Sequence, residues 1–101
     1  MTPMLLTERE TPEGLLVSVC DTDVVGETYE NGKVSLTVDA AFYEADAEEA
    51  DADRVADSLA RATTANIVGE ESVAVAVEHG FVDEANVLDL NGTVHAQYLR
   101  L

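Results

Sequence analysis

The chain is short of cysteine, aromatic residues and positive charge, and each shortage excludes a class of protein. A single cysteine, Cys20, permits no internal disulfide and no cysteine-cluster zinc site. Tryptophan is absent, and two Phe and three Tyr supply all the aromatic rings. Lys and Arg together number 5, with Lys33 the only lysine. That leaves no basic patch with interleaved aromatics of the kind that grips nucleic acid. No apolar run approaches the ~20 residues needed to span a bilayer, and no signal-peptide pattern is present, so a cytoplasmic setting is expected. The phosphate-loop, nucleophile-elbow, Rossmann-glycine and zinc patterns are missing too. No cofactor and no metal are therefore expected.

Acid is what the chain has in excess. It carries 21 Asp and Glu, for a net charge of −16 at pH 7. The acids are interleaved with Ala, Val and Leu along most of the chain. A disordered acidic tail would instead gather them in one block. The pattern matches surfaces adapted to the saline cytosol of halophilic archaea, where screening acts over about 3 Å at 1 M salt. On that reading the charge reports the solvent more than a partner. At 101 residues and 47% hydrophobic content, residues 1–101 form one domain with a modest core.

The chain is organised around Ala62 to Val82, the part poorest in surface-type residues. Val73-Ala-Val-Ala-Val77 alternates like a strand, but its flanks argue for a helix over about 69–79. Glu70 and Glu71 suit a helix N-terminus, and His79 followed by Gly80 suits a last turn and its cap. Asp51 to Ala65 reads as an amphipathic helix, with Val55, Leu59 and Ala62 on one stripe and an Asp57–Arg61 pair opposite. Asn66-Ile67-Val68-Gly69 then becomes a tight corner between two helices, with Ile67 and Val68 buried. Free N–H groups at such a helix start could hold an anion, but Glu70 and Glu71 would repel it.

The remaining segments read as ribbons. Met4–Glu10 and Leu15–Cys20 flank Thr11-Pro12-Glu13-Gly14 and form a β-hairpin. Leu15, Val17 and Val19 take its core face. Val24-Val25 is an apolar plug, Asn31-Gly32 a turn, and Val34–Val38 an alternating strand. Ala40–Tyr43 suggests one helical turn anchored by Phe42 and Tyr43. Glu44–Asp53 holds six acids and no glycine; it reads as a loop or frayed helix start and lacks the sharp turn of a calcium loop. Phe81 and Val82 pack back on the core. Asn91-Gly92 joins Val87–Leu90 to Thr93–Leu99 in a tight hairpin that pairs Leu88 with His95. Direct partners share a face, so His95 and Gln97 lie with Leu88 and Leu90, and His95 is part-buried. The fold class is α+β: a mostly antiparallel sheet of hairpins with two packed helices, about 51–65 and 69–79.

Candidate chemistry is sparse. His95 beside Gln97 suits a general base or a hydrogen-bond reader, or a structural pairing at the sheet end. His79 suits a helix C-terminus, and two scattered histidines make no metal motif. Asp21 next to Cys20 disfavours a thiolate, so Cys20 reads as a small buried residue.

Taken together, Cys20-Asp21, the Gly26 loop, Phe42-Tyr43, Ala65-Asn66-Ile67-Val68-Gly69-Glu70 and Asn91-Gly92 with His95-Ala96-Gln97 resemble an archaeal family of small proteins. It is the domain of unknown function numbered four hundred and twenty-four. The resemblance covers nearly the whole chain and is most specific in the Ala-Asn-Ile-Val-Gly-Glu and His-Ala-Gln strings. It departs in its acid load and scarcity of lysine, which suggests a haloarchaeal member. It implies an α+β fold in a cytoplasmic archaeal protein, carries no established activity, and points to Asn66, Gly69, Glu70, His95 and Gln97, with Cys20 and Asp21 nearby, as the functional surface.

The leading expectation is a non-enzymatic interaction or adaptor module with a protein or ribonucleoprotein partner, set near translation or ribosome assembly. The rival is a small enzyme or ligand-binding domain using His95 as base with Asn66 and Gln97 as polar readers. It requires the three to share one side of the sheet and meet in a pocket. Direct RNA binding is opposed by the charge, since phosphate contacts need Lys and Arg.

Overall fold

A computed structural model describes residues 4–24, 26–31, 34–37, 47–90 and 92–99. The strands are β1 (Met4–Thr11), β2 (Gly14–Asp21), β3 (Thr28–Asn31), β4 (Val34–Thr37), β5 (Glu48–Ala50), β6 (Thr64–Val68), β7 (Leu88–Asp89) and β8 (Val94–Leu99). The helices are α1 (Ala52–Arg61) and α2 (Glu70–Glu78). Six strands form one sheet in the order β5-β1-β2-β6-β8-β7, and β3 and β4 pair separately. Only β2 and β6 run parallel; every other neighbouring pair is antiparallel. The α+β class and the mostly antiparallel sheet hold. No helix among the described residues is long and apolar enough to cross a membrane.

The β1–β2 hairpin forms as its turn chemistry requires, closing at Thr11 opposite Gly14. Val17 and Val19 lie in the main core with Leu15 against it, while Cys20 joins a second cluster with Val24 and Val68 on the reverse face. The short edges are β5 and β7. Edge strands of two or three residues offer little template for unwanted pairing. The helical turn expected at Ala40–Tyr43 lies outside the described residues, as does Val25.

The first helix is shorter than its sequence pattern suggests. Asp51 caps it, its carboxylate accepting the Arg54 N–H at 2.9 Å. Val55 and Leu59 are buried in the core as expected. The helix ends at Arg61, not 65: Ala62 turns extended, and the Thr63 N–H donates to the Leu15 carbonyl at 2.9 Å. Residues 64–68 then enter the sheet as β6, between β2 and β8. The expected helix–helix corner at Asn66–Gly69 is therefore a central strand and its exit. Thr63, Thr64, Ile67 and Val68 are β-branched and favour this. Ile67 and Val68 are fully buried, as expected, but on opposite faces. Likewise part of the acidic run, Glu48–Ala50, is an edge strand and not a loop.

Both helices cover one face of the sheet, with Met4, Leu6, Val17, Val19, Ala65, Ile67 and Ala96 beneath them. An ionic clamp ties α1 to β1. The Glu8 carboxylate accepts from Ser58 Oγ at 2.6 Å, Arg61 at 2.6 Å and Arg54 at 3.2 Å. The Ser58 hydrogen bond is the main reason that Glu8 titrates below its ordinary value of 4.5, with the two guanidiniums adding to it against the opposing effect of burial. A carboxyl with a depressed folded-state pKa contributes stability that is full above its unfolded pKa and is lost as pH falls through the folded one. Urea unfolding followed downward from neutral pH should show this loss below about 4.5. Glu8→Gln should lower stability at neutral pH and flatten the acid limb. An unchanged acid limb in Glu8→Gln would remove the clamp from the account.

Candidate functional site

The face opposite the helices carries the polar residues singled out by sequence. Strand pairing arranges it in rows, because directly paired residues point the same way. One row runs Glu49, Leu5, Cys20, Val68, His95, Leu88. The next runs Thr7, Ser18, Asn66, Gln97, and a third runs Arg9, Leu16, Thr64, Leu99. The Leu88–His95 pairing is the register expected of the Asn91-Gly92 hairpin, and the Leu90 N–H donates to the Thr93 carbonyl at 2.9 Å.

Cys20, Asn66, His95 and Gln97 therefore share one face. Cys20 is fully buried beneath Val24 and Tyr29, so its thiol is withdrawn from the surface. Asn66 and Gln97 are direct partners, and the Gln97 amide donates to Asn66 Oδ1 at 3.1 Å. His95 is half-buried, and burial lowers its pKa below 6.5. At neutral pH its ring is then uncharged, with one donor and one acceptor nitrogen. It sits diagonally from Asn66, a separation of about 7–8 Å between backbones. The same-side condition for the rival reading is met. The hollows formed by described residues at the α2 start, the β1–β2 turn and the two sides of α2 are lined by other residues. The buried Thr7 hydroxyl, without a partner among the described residues, lines none of them either.

Asp21, Gly69 and Glu70 belong to a different arrangement, at the carboxyl ends of the parallel pair β2 and β6. Asp21 accepts the Glu71 N–H at 3.0 Å, the Ser72 N–H at 2.9 Å and the Ser72 hydroxyl at 2.7 Å. It is the N-cap carboxylate of α2, delivered from a neighbouring strand. Gly69 occupies the N-cap position itself and has no side chain to offer. The carboxylate thus fills the place that an anion would take at this helix start. Beside it lies an open hollow of about 210 Å³ lined by Asp21, Asp23, Glu70 and Glu71. Among the described residues no group of three or more His, Cys, Asp and Glu is placed to hold a metal ion.

His79 sits elsewhere. It caps the end of α2 and stacks on Phe81 at 6.3 Å, and Phe81 meets Tyr98 edge-on at 6.0 Å. The two histidines do not meet.

Sequence reasoning missed how far two leucines of the polar face stand out into solvent. Leu88 and Leu99, 37% and 65% exposed, are the exposed large hydrophobics among the described residues, and both lie on it. The hairpin pairing already placed Leu88 beside His95. Leu99 follows by counting two residues beyond Gln97. The capping role of Asp21 also went unread. A glycine at an N-cap is the available signal, since the cap must then come from elsewhere.

These features define a small α+β domain with two helices on one side of a mixed sheet and, on the other, a polar strip whose described residues on β6 and β8 include no acid. The chain belongs to the family described as "Protein of unknown function (DUF424)", which it matches over residues 8–101. Its fold is similar to that in the crystal structure of an uncharacterized conserved protein from Methanopyrus kandleri, with a TM-score of 0.73 and 23% identity. That likeness covers 97% of this chain and 94% of the other. No curated protein matches the chain.

Proposed function

We propose that the protein is a non-enzymatic interaction module that binds a protein partner through the strip Thr64, Asn66, His95 and Gln97, bounded by Leu88 and Leu99. One observation carries this reading. In a chain of net charge −16, the exposed large hydrophobics of the described residues stand on one face, and no carboxylate lies between them in the paired rows. Apolar anchors beside neutral amides and an uncharged imidazole suit a polypeptide surface, where side-chain amides and main-chain groups can pair. They suit RNA poorly, because phosphate contacts draw on Lys and Arg. Asn66 and Gln97 already hydrogen-bond each other, which favours a pre-ordered contact surface over a substrate pocket. That the partner belongs to translation or ribosome assembly is part of the proposal and rests on the archaeal setting alone.

The test is reciprocal capture from native high-salt lysate with the unaltered chain, Leu99→Asp, and His95→Ala/Gln97→Ala. Each variant should weaken the specific partner about tenfold or more, in the range of a contact hot spot, with the circular dichroism unchanged. Retention of the same partner by both variants would refute the assignment. Binding of ribosomal RNA in molar salt, lost in the same variants, would replace it with an RNA function.

A further inference from the structure

The helix side of the molecule carries a second surface, independent of the polar strip. Helix α2 has no charged residue between Glu71 and Glu78, although its outer side faces solvent at Ala74 and partly at Val77. A solvated helix face ordinarily carries polar groups. On one side of Ala74 lies an open groove of about 350 Å³ floored by Val73, Val77, Val87 and Val94. On its other side lies a hollow of about 200 Å³ lined by Met4, Ala52 and Val75. Ala74 and Glu78 border both. Glu70, Glu71 and Glu84 complete the rims, and among the described residues no Lys or Arg lines either hollow.

We infer that this surface docks a basic amphipathic helix of a partner protein. Ala74 is the small ridge that allows close approach, and apolar side chains spaced three and four apart on the incoming helix enter the hollows on either side. Lys or Arg on its flanks meets the glutamate rims. The nine residues of α2 offer a seat about 13 Å long, enough for two to three turns of a partner. A second copy of this chain would bring like-charged rims together, with −16 on each side. An anionic membrane would meet the same repulsion. The four glutamates on the rims, Glu70, Glu71, Glu78 and Glu84, therefore select a cationic segment.

The probe is a labelled helical peptide of Leu and Lys with Leu at i, i+3, i+4 and i+7, set against a scrambled peptide of equal composition. Fluorescence anisotropy with the full chain should show the patterned peptide binding about tenfold more tightly than the scrambled one. Ala74→Lys, at an exposed site and with a good helix former, should reverse that preference. Glu78→Lys/Glu84→Lys should weaken binding about fivefold or more and reduce its salt dependence. Equal binding of the scrambled peptide marks mere charge attraction and overturns the inference. So do unchanged affinities in both variants, self-association lost on Ala74→Lys, or binding to anionic vesicles through Ala74. Leu99→Asp should leave peptide affinity unchanged, which separates this surface from the sheet strip.

Discussion

Gly69→Ala is expected to lower the melting temperature by roughly 10–25 °C, the equivalent of about 2–4 kcal/mol in a domain of this size. Two effects combine at one atom. The backbone at Gly69 has φ +111° and ψ 152°, a region open essentially to glycine alone and costing other residues about 1–3 kcal/mol. A Cβ built there would also stand 2.6 Å from both oxygens of the Asp21 carboxylate. To make room, Asp21 must abandon the Glu71 and Ser72 N–H groups and the Ser72 hydroxyl. Hydrogen bonds to a charged acceptor contribute about 1.5–3 kcal/mol, and the start of α2 would lose its cap. The backbone of Gly69 cannot easily shift, because its N–H donates to the Val94 carbonyl on β8 at 2.9 Å.

The explanation is separable by a double-mutant cycle. Asp21→Ala alone should cost about 1–2 kcal/mol through the lost cap. In that background Gly69→Ala should cost less than in the unaltered chain, because the carboxylate is gone and only the backbone penalty remains. Urea unfolding of the four proteins gives the coupling directly. Strictly additive costs would mean that the Asp21–Gly69 contact plays no part and that the glycine is required for its φ alone.

This junction marks how far the sequence could be read. The helix at Val73–Val77 was legible in spite of its strand-like alternation, because Glu70, Glu71, His79 and Gly80 punctuate both ends locally. The β7–β8 register was legible for the same reason: Asn91-Gly92 admits one tight pairing, and from it the shared face of Leu88, His95 and Gln97 follows. Strand β6 was not legible. Ala62-Thr-Thr-Ala65 continues an alanine-rich helix without a Gly or Pro stop, and the slot that makes it extended is built by β2 and β8, which are distant in sequence. Parallel pairing leaves no turn between partners to announce it. The Asp21 cap acts across 50 residues of chain, and the Glu8–Ser58 bond spans the same separation. Such contacts have no spacing rule. The candidate surface divides along the same line. The shared face of Leu88, His95 and Gln97 was readable from local pairing, whereas the place of Asn66 beside Gln97 and the burial of Cys20 required the assembled sheet.

Salt should stabilise this protein strongly, with the melting temperature rising on the order of 20 °C between about 0.1 M and about 2 M KCl. The chain measures 33 × 31 × 29 Å, close to a sphere of about 16 Å radius. A charge of −16 spread over such a sphere carries a self-repulsion on the order of 10 kcal/mol at about 0.1 M salt, and roughly a third of that at about 2 M. The expanded unfolded chain feels less repulsion at either concentration, so most of the relief goes to the folded state. The described ion pairs cannot supply that relief, because they gather on Arg54 and Arg61 around Glu8, Glu48 and Asp57. The discriminating variant replaces the exposed Glu10, Glu13, Glu27 and Glu78 with Gln, bringing the net charge to −12, that is −16 plus 4. Repulsion scales with the square of the charge, so the salt response should fall to a little over half. Thermal unfolding of both proteins across the KCl series reads this out. A response of only a few degrees would show that the carboxylates do not oppose folding. An equal response in the two proteins would assign the effect to strengthened apolar burial in salt and take the charge out of the account.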